Sequence, residues 1–131
     1  MLVEEELARA SPNKDMLLTI GVFDGVHLGH KHLISKLIVQ ARQQNLLSGV
    51  ITFCQHPQDV LLSRTKPPFL TGLTERSRLL KDEGVVAIIP LAFTVELTQL
   101  SARQFVSLLK KCLRMRGLVI GPDFALGRNR E

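Results

Sequence analysis

Three of the four histidines, His27, His30 and His32, fall within six positions of one another, just after a short apolar run that closes on glycine. The run is Met16-Leu17-Leu18-Thr19-Ile20-Gly21-Val22, and Gly21, Gly25 and Gly29 punctuate the passage from it into a helical pattern. The start of a helix offers amides with no partner inside the helix and the positive end of the peptide dipoles, a pairing that favours phosphate. Glycines let backbone come close to a ligand. Imidazole N–H groups on His27 and His30 add donors that carry no permanent charge. Together these residues outline a triphosphate cradle. His32, further into the helix, reads as a solvated neighbour. Asp24 fits two roles, a cap for the turn or a ligand contact. Asp24, His27, His30 and His56 would be the donors of a metal site. However, His27 precedes the helix and no Cys pair supports zinc, so the metal ligand stays unassigned.

A turn of this kind has to be held by strands and helices. The run 16–22 reads as a strand buried on both faces. Leu33, Ile34, Leu37, Ile38 and Ala41 then recur on one helical face, with Lys36, Gln40 and Arg42 opposite and a stop bracketed by Asn45 and Gly49. Val50-Ile51-Thr52-Phe53 is a second strand, and residues 54–70, with Pro57, Pro67 and Pro68, form a long loop of the kind that is functional or mobile. The pattern predicts a helix over Thr74–Glu83 ended by Gly84, and a third strand over Val85–Pro90. Ser101-Ala102-Arg103-Gln104 spells a capping box before the apolar stripe Phe105, Leu108, Leu109, Cys112 and Leu113. Leu118-Val119-Ile120 is expected as a fourth strand, closed by Gly121-Pro122. Strands alternating with helices give an α/β fold, a Rossmann-like doubly wound parallel sheet. Ligands sit beyond the C-terminal ends of such strands. The histidines fall there, as does Asp123 just past the fourth strand, while Phe53 at a strand end is either core or ligand contact. A short helix is expected over residues 1–10. Residues 127–131 are polar with no closing element, so the domain is expected to be incomplete at its C-terminal end.

Composition narrows the class. The chain has 131 residues, 45% hydrophobic and 22% charged, which suits one globular domain and excludes disorder. Its longest apolar stretches, such as Gly84–Ala92, are too short to span a bilayer, and Met1–Glu6 lacks the features of a signal peptide. Cys54 and Cys112 match no metal or redox spacing. A cytoplasmic protein without a membrane partner is expected. The net charge of +5 arises entirely in residues 101–131, from Arg103, Lys110, Lys111, Arg114, Arg116, Arg128 and Arg130 against two acids. Few aromatic residues interleave with these charges, so nucleic acid is not the expected partner, and Lys110–Arg116 reads as a solvated helix face.

Thr19-Ile20-Gly21-Val22-Phe23-Asp24-Gly25-Val26-His27-Leu28-Gly29-His30 resembles the signature of the bacterial FAD synthetase module of bifunctional riboflavin kinase/FMN adenylyltransferases. Its His-x-Gly-His core links it to the wider HIGH-motif nucleotidyltransferases. Three further stretches resemble the same module in order and spacing: Thr52–Pro57, Leu100–Phe105 and Val119–Arg128. The resemblance implies a fold of the nucleotidyltransferase type and adenylyl transfer from ATP to FMN, with Mg²⁺, giving FAD and pyrophosphate. It implies an ATP side of Gly21, Phe23, Asp24, Gly25, His27 and His30, with the two histidines catalytic. It places Phe53, His56, Pro57, Asp123 and Arg128 on the flavin side. Cys54-Gln55, Pro122 and Leu126 depart from the family's commoner residues. The family's later Ser/Thr-rich motif and its riboflavin kinase module are expected beyond Glu131. Two other readings stand beside this one: a HIGH-type transferase with another phosphate acceptor, and a nucleotide- or flavin-binding module without catalysis.

Overall fold

The computed structural model describes residues 3–10, 12–21, 23, 28–53, 73–92 and 94–120. Their elements, in chain order, are α1 (Val3–Ala8), β1 (Met16–Gly21), α2 (Leu28–Gln43), β2 (Leu47–Phe53), α3 (Leu73–Asp82), β3 (Ala87–Leu91), α4 (Val95–Gln99), α5 (Ala102–Leu113) and β4 (Met115–Leu118). The strands form one parallel sheet in the order β3-β2-β1-β4. The chain thus winds outward from β1 to β3 and then returns to the far side of β1, the doubly wound arrangement.

The two-residue period of a strand sorts the core into two layers. Met16, Leu18, Ile20, Ile51, Ile89 and Leu91 pack with α1, α4 and α5 through Val3, Leu7, Leu97, Phe105, Leu109 and Leu113. Leu17 and Val50 point the other way, onto Ile34, Leu37, Ile38 and Ala41 of α2 and Leu80 of α3. The capping box forms as the sequence suggests. The Gln104 amide donates to Ser101 Oγ at 3.1 Å, and the Ser101 amide donates to Gln104 Oε1 at 2.8 Å. Asn45 closes α2 in the left-handed region (φ 57°), with the Leu46 amide reaching back to the Ala41 carbonyl at 2.8 Å.

Several expectations need correcting. β2 begins at Leu47, so Gly49 lies within the strand and does not bracket the helix stop. A Cβ there would sit 2.5 Å from Met16 Cε and 2.6 Å from Leu18 Cδ2, so any larger residue would force those side-chain ends to shift. The fourth strand is Met115–Leu118 and not 118–120, because Arg114 ends α5 in the left-handed region (φ 54°) and Met115 pairs at once with Met16. Only the Val119 amide, donating to the Leu18 carbonyl at 2.8 Å, prolongs the contact. Lys110 and Lys111 are exposed on α5, but Arg114 is its cap and Arg116 belongs to β4, so they do not form one helix face. The short α4 has no counterpart in the sequence pattern. The expected loop 54–70 and the terminal stretch 121–131 lie outside the described residues. Among the described residues, no helix is long and apolar enough to cross a membrane.

Candidate functional site

All four strands run the same way, so all end at one edge of the sheet. At that edge β1 has β2 on one side and β4 on the other, and the chain's path diverges between them. A crevice is expected there. Gly21 is the last residue of β1, and α2 starts at Leu28 with no acidic residue in its first turn to offset the positive end of its dipole.

Phe23 shapes this corner. It holds a left-handed backbone (φ 56°), rare for a bulky residue, while its ring is only 2% exposed. The ring lies against Gly21 so closely that a Cβ at position 21 would come within 2.8 Å of Phe23 Cε2. It also meets the His30 imidazole edge to face, with centroids 5.1 Å apart and planes at 70°. Such a contact restricts the imidazole's rotation, and it leaves His30 half-buried on the first turn of α2. Glycine, phenylalanine and histidine thus form one unit: the glycine makes room for the ring, and the ring sets the imidazole.

On the neighbouring strand, Thr52 pairs with Gly21 in register, and Phe53 ends β2 one residue later. Phe53 is half-buried, its ring packed in part against the α1/α5 layer. Its carbonyl accepts a hydrogen bond from Arg76 Nη1 at 2.9 Å, and the same nitrogen donates to Thr52 Oγ1 at 3.1 Å. Arg76, on α3 and 1% exposed, was not singled out from the sequence. The signal available was its place on the apolar stripe of α3, four residues before buried Leu80. His32 is exposed, as a solvated neighbour would be. The structure therefore brings Gly21, Phe23 and His30 together, with Phe53 on the adjoining strand end. Asp24, Gly25, His27, His56, Pro57, Asp123 and Arg128 lie outside the described residues. Among the described residues, no group of three His, Cys, Asp or Glu side chains could hold a metal.

Comparison with known proteins gives consistent matches. A family model described as FAD synthetase matches residues 9–131. The bifunctional riboflavin kinase/FMN adenylyltransferase of Escherichia coli K12 is 38% identical over 122 residues, covering 92% of this chain and 39% of that one. The protein of the same name from Listeria monocytogenes is 33% identical over 116 residues, covering 88% of this chain and 37% of the relative. The chain thus spans about two fifths of the length of these curated relatives. A crystal structure described as a macrolide-efflux protein from Streptococcus pneumoniae superposes with a TM-score of 0.85 at 28% identity, over 95% of this chain and 42% of that one.

Proposed function

Because this chain belongs to the FAD synthetase family, we propose that it transfers the adenylyl group of ATP to FMN, producing FAD and pyrophosphate. A phosphate oxygen of FMN attacks the α-phosphorus of ATP in line. The new P–O bond forms as the bond to the bridging oxygen breaks, and that electron pair leaves with pyrophosphate. Charge builds on the departing group, so positioning and hydrogen-bond donation are the main catalytic tasks. No covalent enzyme intermediate is needed.

In this reading Gly21, Phe23, Asp24, Gly25, His27 and His30 line the ATP side. His27 and His30 donate to phosphate oxygens, alongside the leading amides of α2. Phe53, His56, Pro57, Asp123 and Arg128 form the flavin side. Mg²⁺ enters as the ion that ATP carries, bound chiefly by the phosphates. The described residues offer it no group of three His, Cys, Asp or Glu side chains.

The observation that carries the proposal is the Gly21–Phe23–His30 unit, which holds an imidazole at the start of α2 beside the divergence of β1 and β4. Release of pyrophosphate and formation of FAD from ATP, FMN and Mg²⁺ test it directly. FAD formation supports the reading. Binding of ATP without any FAD overturns it in favour of a binding module, and faster transfer to another phosphorylated acceptor overturns the choice of FMN.

A further inference from the structure

Arg76 stands where its helix needs an apolar residue. Its position on α3 faces the sheet, and at 1% exposure it is among the most deeply buried side chains described. Burying a guanidinium is costly unless its donors are matched, and a cation in the first turns of a helix opposes the dipole. Neither packing nor helix electrostatics therefore accounts for an arginine here. Arg78, two residues on, shows the ordinary use of the same residue type. It lies in solvent, bonded to Glu75 and Asp82, and its hydrogen bond holds the Glu75 carboxyl below the usual carboxylate range.

What Arg76 reaches is specific. Two of its hydrogen bonds go to the last two residues of β2, the Thr52 hydroxyl and the Phe53 carbonyl. Thr52 is fully buried and is the register partner of Gly21 on β1 and of Pro90 on β3. One guanidinium nitrogen, Nη1, donating to both acceptors thus ties the point where β2 leaves the sheet to α3, next to the glycine on which Phe23 and His30 depend. A lysine would carry a more strongly hydrated ammonium on a flexible stem, costlier to bury and not held in the guanidinium plane that sets Nη1 between the two acceptors.

Building on the activity proposed above, we propose that Arg76 is a positioning residue for the acceptor side of the site: by fixing Thr52 and Phe53 at the end of β2, it sets where FMN binds relative to ATP. It acts through the strand end and does not touch the reacting atoms.

The test uses the whole 131-residue chain, with FMN binding read by flavin fluorescence and ATP binding by calorimetry. Arg76→Lys is expected to weaken FMN about tenfold while ATP affinity stays within about twofold. Thr52→Val keeps the side-chain shape but removes one acceptor, and it is expected to shift FMN in the same direction by about threefold. Equal weakening of both ligands, or unchanged FMN binding in a folded variant, overturns the role. If Arg76→Lys does not fold, Thr52→Val decides alone by the same criterion. Failure of the activity itself shows in the unmutated chain, as ATP and FMN binding without FAD formation, and is thereby distinguished from failure of the Arg76 role.

Discussion

The two ends of the sheet use the same kinds of residue to opposite purposes. At the edge where the strands begin, polar side chains pair in solvent around an open cavity of about 440 Å³ lined by Lys14, Asp15, Asn45, Arg114 and Arg116. Lys14 Nζ donates to Asn45 Oδ1 at 2.8 Å, and Arg114 and Arg116 reach the two Asp15 oxygens at 3.0 and 3.5 Å. The left-handed residues there, Asn45 and Arg114, close helices α2 and α5, and the cations lie where helix C-termini gather negative charge. At the edge where the strands end, the left-handed residue is Phe23, which closes no helix and costs about 1–3 kcal/mol in strain. The arginine there is buried, and the histidine is fixed by an aromatic ring. One end spends its polar groups on finishing helices; the other keeps strain where β1 leads into α2 and a buried charge beside it, at the end of β2.

The strongest way to break that contrast is His30→Ala. If the imidazole serves chemistry, turnover falls roughly 10²–10³-fold while the melting temperature changes little. Equal losses in turnover and melting temperature would make His30 another structural group, and the two ends would then be alike. Leu37→Ala is the reciprocal case. Leu37 is fully buried between α2 and the sheet, so its truncation costs about 2–5 kcal/mol in urea unfolding. The native fraction should still bind ATP as the parent does. A loss of ATP affinity there would show that the cradle depends on the seating of the whole helix and not on its first turn.

Gly21→Ala probes the boundary between the two effects. The added methyl meets the Phe23 ring at 2.8 to 3.0 Å, so the ring must shift and take His30 with it. Overpacking of this kind costs about 1–3 kcal/mol. ATP affinity is expected to fall along with stability. In Gly21→Ala combined with Phe23→Leu, whose smaller side chain makes room but no longer orients the imidazole, stability is expected to recover in part and ATP affinity is not. Lost stability with unchanged ATP binding would separate the packing unit from the cradle.

These residues differ in how visible they are in the sequence. Gly21, Phe23 and His30 are legible because their types are unusual at a strand-to-helix turn, and α5 is legible because its capping box and stripe are local signals. β4 was misplaced because an apolar triple marks burial, not register. Its pairing is set by where Arg114 ends the helix, a backbone event that the composition of residues 118–120 does not encode. Helix α4 has only five residues and no periodicity of its own. It is secured by the Thr94 cap, and its Glu96 accepts the Val3 amide at 2.9 Å across 93 positions, which no local pattern reveals. Arg76 was hidden differently. Between Glu75 and Arg78 it reads as part of a charged helix face, and its spacing of four from Leu80 is a faint signal beside that local charge.

The smallest effect is expected at the opposite edge, and it is the sharper for being small. Asp15 bridges Arg114 and Arg116 with all three side chains between 33% and 68% exposed. Solvent and salt screen such pairs, so Asp15→Asn is expected to cost at most about 1 kcal/mol, shrinking as salt is added. ATP and FMN affinities are expected to stay at parental values, because the change lies a full strand length from Gly21 and Phe53. A cost well above that range, or one insensitive to salt, would mean that the cluster anchors the register of β4 against β1, since Asp15 and Arg114 flank the Met16–Met115 pair. Lost nucleotide affinity would go further. The strand termini would then be mechanically linked, and the division of labour between the two ends would not hold.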